Sequence, residues 1–261
     1  MSMLWTPPIL EAGEAPQRYR LIACDVLIRE LSACSARCPR IVDGNFQPKG
    51  LHDLGSEPMA ARLQEAIDQT EPHRYDAILL GYGLCSNGIL GLRAPVPMVV
   101  PRAHDCISLL LGSRKAYQAY FEQHPGTYFL SPGWIERATE SAKDALSIPS
   151  QLGMTRTYQE LAQQYGEDNA RFLMETLGGW MKHYQRLAYI DTRTGDFQGY
   201  KAWARQRASE RGWEYGELIG STELLLRLVS GEWDETDFLV VPPGETIAAS
   251  HDDQIIKRIQ S

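Results

Sequence analysis

Ala77-Ile-Leu-Leu-Gly-Tyr-Gly-Leu-Cys-Ser-Asn-Gly88 is the stretch whose reading decides the fold. An apolar run passes into Gly81, Gly83 and Gly88, with Cys85 among them. This is the pattern of a short buried strand that opens at its carboxyl end into a loop where backbone can approach closely. The pattern recurs upstream, where residues 19–23 lead into Cys24, and downstream, where residues 98–100 lead through Pro-Arg-Ala-His-Asp to Cys106. Residues 128–130 read as a fourth strand. Helical periodicity over 59–70 and 107–123 fills the intervals. Strands alternating with helices predict an α/β fold of open parallel sheets with flanking helices, of Rossmann-like type.

Residues 138–185 break this rhythm, being rich in Ala, Glu, Gln, Leu and Met with apolar residues at helical spacing. Alternation then resumes with strands at 187–191, 214–219 and 238–241 and helices at 200–211 and 222–229. The expected organisation is an N-terminal extension over 1–18, an α/β lobe carrying the site over 19–137, a helical segment over 138–186, and a second α/β lobe over 187–261.

The 261 residues are 43% hydrophobic, enough for a core. The net charge of −7 has no basic block to track phosphates, which sets nucleic-acid binding aside. No apolar run approaches the roughly 20 residues of a membrane span. The first 14 residues lack the basic and apolar regions of a secretory signal, so a cytoplasmic location is expected. Five cysteines in a reducing compartment then point to ligation or catalysis rather than a disulfide scaffold.

Ligand sites of open α/β sheets lie beyond the carboxyl ends of the strands. Cys24, Cys85 and Cys106 each follow a strand, and together they are the candidate metal ligands. Cys106 stands at a predicted helix N-terminus, which favours the thiolate. His104, two residues before it, completes a Cys3His set suited to tetrahedral zinc, the first choice of cofactor. Three thiolates with an open fourth position equally suit a [4Fe-4S] cluster. Arg102 directly follows a strand and is the candidate anchor for an anionic substrate, with a structural ion pair as its alternative. Gly81, Gly83 and Gly88 are the residues placed to let a bound group approach the backbone. A dinucleotide fingerprint fits poorly, since Gly88 comes too late and no acidic residue follows the next strand.

Cys34 and Cys38 read as ordinary positions on a helix ending at Pro39. His52, His73, His124, His183 and His251 read as surface or capping residues. Trp134, in Pro132-Gly-Trp134, is placed either to wall the pocket or to pack the core.

The motifs Ala23-Cys-Asp25, Leu80-Gly-Tyr-Gly-Leu-Cys-Ser-Asn-Gly88, Pro101-Arg-Ala-His-Asp-Cys106 with Leu109-Leu-Leu-Gly-Ser113, and Pro132-Gly-Trp134 resemble those of the prokaryotic family catalogued as domain of unknown function 1638. The resemblance runs from about Arg20 to Pro243. It implies a neighbourhood of corrinoid-dependent methyl transfer, with a corrinoid protein or methyltransferase as partner. His104-x-Cys106 plus another cysteine is also similar to the zinc-ligand pattern of methylcobalamin:thiol methyltransferases, whose TIM-barrel fold this chain does not suggest.

The leading expectation is a metal-dependent enzyme acting on a small molecule, such as a zinc-dependent methyl transferase. In it Cys24, Cys85 and Cys106 are ligands, His104 a fourth ligand or general base, and Arg102 the anchor. A non-catalytic carrier of metal or cluster is the second class. Metal-free chemistry with Cys106 as nucleophile and His104 as base is the third. Tryptophan and tyrosine in the helical segment would suit a homo-oligomer face.

Overall fold

The computed structural model describes residues 16–137, 184–250 and 252–260. Most of the expected extension and helical segment, residues 1–15 and 138–183, lies outside the described residues.

The central sheet has the strand order β2-β1-β3-β4-β8, formed by β1 (Arg18–Cys24), β2 (Ile41–Gln47), β3 (Ala77–Gly81), β4 (Met98–Pro101) and β8 (Phe238–Val241). The first four strands are parallel, and β8 runs antiparallel to β4. Strand alternation divides their side chains between two cores. Ile22, Cys24, Ile78, Leu80, Tyr82, Met98 and Val100 enter one, while Tyr19, Leu21, Ala23, Ala77, Leu79 and Val99 enter the other. Both faces are therefore covered, as a parallel sheet requires.

Helix α2 (Ser56–Asp68) covers the first face with Met59, Leu63, Ala66 and Ile67, spaced for one helical stripe. Each of the larger three contributes about 1.5–3 kcal/mol by leaving water. Helix α1 (Ile28–Ser35) covers the opposite face with Leu31 and Cys34. The chain leaving β1 thus turns to one face. The chain leaving the neighbouring β3 turns to the other, where Ile89, Leu92 and Ala94 are buried. Adjacent connections thus diverge at the carboxyl ends of β1 and β3, the position at which open α/β sheets commonly bind ligands.

The expected helix over 107–123 is two helices, α3 (Cys106–Leu111) and α4 (Arg114–Gln123). Gly112 ends the first in the left-handed region at φ 80°, and the Ser113 hydroxyl caps the second by accepting from the Ala116 N–H at 3.0 Å. After β5 (Thr127–Leu130) comes the short α5 (Pro132–Glu136), then β6 (Arg186–Asp191), α6 (Gln198–Glu210), β7 (Glu214–Ile219) and α7 (Glu223–Ser230). β9 (Glu245–Ala249) and β10 (Ile256–Gln260) form an antiparallel hairpin. Strands β5, β6 and β7 make a second parallel sheet.

Strand membership corrects the expected division at 137/187. Strand β5 pairs with β6, and β8 returns to pair with β4, so the chain passes between the sheets more than once. No described helix is long and apolar enough to cross a membrane.

The two sheets meet at a buried carboxyl. Glu30 on α1 is fully buried and accepts a hydrogen bond from the Thr192 hydroxyl, just beyond β6, at 2.7 Å. Its second oxygen has no partner among the described residues. Burial holds its pKa above the ordinary glutamate value. A raised folded-state pKa gives stability below the unfolded value that is lost as pH rises through the folded one. Relative to Glu30→Gln, the wild type should therefore lose on the order of 1 kcal/mol between pH 4 and pH 8. Urea unfolding of both proteins at the two pH values checks this, and a constant difference would contradict it.

Candidate metal centre

Each parallel strand of the central sheet ends in residues that bear chemistry. Strand β1 ends at Cys24, followed by Asp25. Beyond β2 stand Lys49 and His52, beyond β3 Tyr82 and Cys85, and beyond β4 Asp105 and Cys106. Cys24, Cys85 and Cys106 are all buried thiols.

The loop after β3 is stitched to the loop after β4. The Leu84 N–H donates to the Ala103 carbonyl and the Cys85 N–H to the His104 carbonyl, both at 2.8 Å. Gly83 permits this contact, because a Cβ there would lie 2.6 Å from Asp105 N and 2.8 Å from Ala103 O. The loop then runs through Cys85, Ser86 and Asn87 with φ of 47°, 54° and 70°. Consecutive left-handed non-glycine residues cost roughly 1–2 kcal/mol each. Such strain persists only where the surroundings impose it, and it gathers at functional sites.

Asp105 caps α3, accepting from the Ser108 N–H at 3.0 Å, which sets Cys106 as the first helical residue. Asp25 accepts the Lys49 N–H at 2.9 Å, and its carboxylate lies 3.8 Å from Arg137 Nε. Lys49 Nζ sits 4.9 Å from the centre of the Trp134 ring. Trp134 rides on α5, pinned because Gly133 packs so close to Val26 that a Cβ would lie 1.8 Å from its carbonyl oxygen. The indole packs against all three hydrophobic cores. Trp134 is therefore both a wall and a core residue.

The thiols sense one another. Burial, then the Asp105 carboxylate, Cys85 and Cys24, push the Cys106 thiol well up, while the Trp134 indole N–H eases it down. That N–H meets no acceptor at ordinary hydrogen-bond geometry, so its effect is a near approach rather than a formed bond. Burial, Asp105 and Cys24 likewise raise Cys85, and burial raises Cys24 to about 12. The expectation that the helix N-terminus makes Cys106 an anion is corrected: desolvation outweighs it. Metal-free attack by Cys106 would need a base to take the thiol proton.

The other sequence candidates fare unequally. His104 is exposed, and it contributes its carbonyl to the loop stitch. The Arg102 guanidinium donates to the carbonyls of Glu235, Phe238, Gln254 and Ile256, so it staples the C-terminal segments through main-chain oxygens rather than through the ion pair expected as its alternative. The room left by Gly81, Gly83 and Gly88 is filled by Ala23, by the Ala103–Asp105 backbone and by Met59 respectively, which makes them packing residues rather than a cofactor cradle. Cys34 lies against the Thr222 carbonyl and Cys38 against those of Ser35 and Arg40.

Sequence reasoning passed over His52. Its imidazole is held below the usual histidine range by burial and by Lys49, with Asp105 opposing, and its ring lies 6.5 Å from that of Tyr82. Lys49 and His52 follow a strand that the sequence did not reveal, so the strand-end rule never reached them. Among the described residues no group of three or more His, Cys, Asp and Glu side chains is arranged to hold a single metal ion.

Residues 46–229 match the family described as "Protein of unknown function (DUF1638)". The chain belongs to this family. No curated protein and no solved structure matches it. Within this DUF1638 chain the matched span holds Lys49, His52, Tyr82, Cys85, Asp105, Cys106 and Trp134, while Cys24 and Asp25 precede it.

Two outcomes are expected. Gly83→Ala should destabilise the fold by about 1–3 kcal/mol through the imposed backbone clash, read by urea unfolding. In metal-free protein at pH 7.5, iodoacetamide should label Cys38, which is half-buried, roughly tenfold faster than Cys24, Cys85 or Cys106, as mass spectrometry of the peptides would resolve. Fastest labelling at Cys106 would overturn the neutral-thiol reading.

Proposed function

We propose that the chain is a metal-dependent protein whose Cys24, Cys85 and Cys106 thiolates hold an iron-sulfur cluster, with a small molecule bound beside it among Lys49, His52 and Arg137. The observation that carries this reading is three buried thiols, one at each of three neighbouring strand ends, Cys24 and Cys85 in one core and Cys106 in the other. Their site is the crevice that a Rossmann-like reading of the sheet assigns to ligands.

A zinc ion, with Zn–S bonds of about 2.3 Å, requires its ligands drawn almost into contact. A [4Fe-4S] cluster spreads its thiolates around a larger body. Three thiols at three neighbouring strand ends supply the three cysteines that such a cluster needs, which is why the cluster is proposed ahead of zinc. Zinc stays as the second reading because the Asp105 carboxylate acts on both Cys85 and Cys106 and would supply an oxygen ligand. His104, being exposed, is left out of either set.

A bound cluster supplies a Lewis-acidic metal beside the substrate. The chain supplies the rest. Lys49 and Arg137 favour a ligand carrying negative charge. His52, half-buried and held below the usual histidine range, is suited to accept a proton. A carrier that hands its metal to a partner would use the same thiols, but it would release the centre readily and show no turnover.

Protein purified without oxygen should be brown and contain about four iron and four sulfide per chain. Cys85→Ser should lose most of it and Cys34→Ser none. A colourless protein with one zinc would favour the second reading. Wild-type protein carrying neither iron nor zinc would refute both.

A further inference from the structure

We infer that the cavity between α1 and α5 is an oxyanion site, which takes the carboxylate or phosphoryl group of a small molecule on Arg29, Arg137 and Thr194. Glu30, acting through Thr192, is the positioning residue that orients the Thr194 hydroxyl. The site stands apart from the centre proposed above, since no cysteine lines it.

The cavity is about 350 Å³ and is lined by Ile28, Arg29 and Ser32 of α1, Glu136 and Arg137 at the end of α5, and Thr194 beyond β6. These residues follow β1, β5 and β6, so strands of both parallel sheets deliver the segments beyond their carboxyl ends to one place. Two guanidiniums against one carboxylate leave the lining with positive charge in excess.

Arg29 is held in position. Its Nε and Nη2 donate to the Glu136 carboxylate at 2.8 and 2.5 Å, and its guanidinium carbon lies 4.9 Å from the centre of the Phe197 ring. The Tyr200 hydroxyl donates to the same carboxylate at 3.0 Å. Nη1 meets no acceptor among the described residues, so one arm of the fork stays open to a ligand. Arg137 is less occupied still. Asp25 stands 3.8 Å from its Nε, beyond hydrogen-bond reach, and that Nε–H is buried without a partner. Fixed guanidinium forks with open donors suit carboxylate and phosphoryl oxygens.

A chain of hydroxyls leads from a buried carboxyl into the cavity. Glu30, fully buried, is bonded to the Thr192 hydroxyl at 2.7 Å, and Thr192 lies 3.3 Å from the hydroxyl of Thr194 in the lining. While Glu30 is ionised it accepts from Thr192, Thr192 accepts from Thr194, and Thr194 offers the cavity only lone pairs. Once Glu30 is protonated it donates to Thr192, Thr192 donates to Thr194, and the Thr194 O–H turns to an anion. Anion binding is thereby linked to proton uptake at Glu30, so it weakens as pH rises. Around Glu30 stand Arg29 and Cys34 of α1, Glu136 and Arg137 of α5, Asp191 ending β6, and Glu223 and Arg227 of α7, which packs against α1. None of these is a histidine, the side chain that ordinarily titrates between pH 5 and pH 8.

The experiment is equilibrium dialysis of the purified protein against radiolabelled sulfate, whose charge is constant from pH 5 to pH 8, at fixed ionic strength. Arg29→Gln and Arg137→Gln should each bind sulfate roughly tenfold more weakly. Arg186→Gln should match wild type, because Arg186 pairs with Glu214 at the amino end of β6. Wild-type affinity should fall several-fold from pH 5 to pH 8. Glu30→Gln, whose amide donates at every pH, should keep the pH 5 affinity at both. Should Glu30→Gln fail to fold, Thr194→Val decides, since it should bind equally weakly at both. Displacement of sulfate at pH 8 by acetate or by methyl phosphate supports the site and tells a carboxylate ligand from a phosphoryl one.

Displacement by neither, no sulfate bound by wild type, or full binding in both arginine variants would overturn the inference. So would a wild-type pH dependence in Glu30→Gln or Thr194→Val. Metal content bears on none of these outcomes, so the site and the proposed centre stand or fall separately.

Discussion

The site depends on two main-chain hydrogen bonds, from Leu84 to Ala103 and from Cys85 to His104, which tie the loop after β3 to the loop after β4. Strands β3 and β4 share only a short register, Ile78 with Met98 and Leu79 with Val99. Past that pairing the two chains would separate by ordinary sheet twist. The stitch holds them together beyond the sheet, and Gly83 is the residue whose missing Cβ lets the backbones meet. Three left-handed residues follow at once, Cys85 to Asn87. Their cost, on the order of a few kcal/mol in total, must be offset by burial of Ile89 and Leu92 and by the stitch itself. What the arrangement secures is the entry of Cys85 into the same buried region as Cys24.

Magnitudes decide the charge state there. A helix N-terminus favours an anion by about 0.3–1 kcal/mol at the surface and up to about 2 kcal/mol when partly buried. Burial of a full charge can move a pKa by several units at about 1.4 kcal/mol each. Helix α3, six residues long, contributes at the low end of the first range, and Asp105 beside Cys106 works against the anion. Desolvation therefore wins.

The parts of the fold written in apolar runs were legible. Strands β1, β3, β4 and β6 stand where their Leu, Ile, Val and Ala runs predict, because strands buried on both faces need continuous hydrophobicity. Strand β2 was not, since Asp43, Gly44 and Asn45 interrupt it and an edge strand needs only a half-buried face. That omission hid Lys49 and His52. Which sheet each strand would join was also illegible, for the pattern of β5 or β8 marks a strand without naming its partner. Arg102 and the glycines show the same limit. A residue type at a strand end says that something must be bound, and here Arg102 binds the chain's own carbonyls while the glycines admit its own backbone and side chains.

The charge inventory ties the proposed centre to its surroundings. With protonated thiols, the Asp25 carboxylate accepts the Lys49 main-chain N–H and faces Arg137, and burial holds His52 below the usual histidine range. Ionising three thiols without a metal would add three negative charges to a dry region, which their raised pKa values oppose. Exchanging the three protons for a doubly positive ion or cluster core adds only one. The excess is of the sign that Lys49 and Arg137 would meet on the proposed reading. The pocket is poor at holding thiolates alone, and on the proposed reading that makes it selective for thiolates that arrive together with a metal.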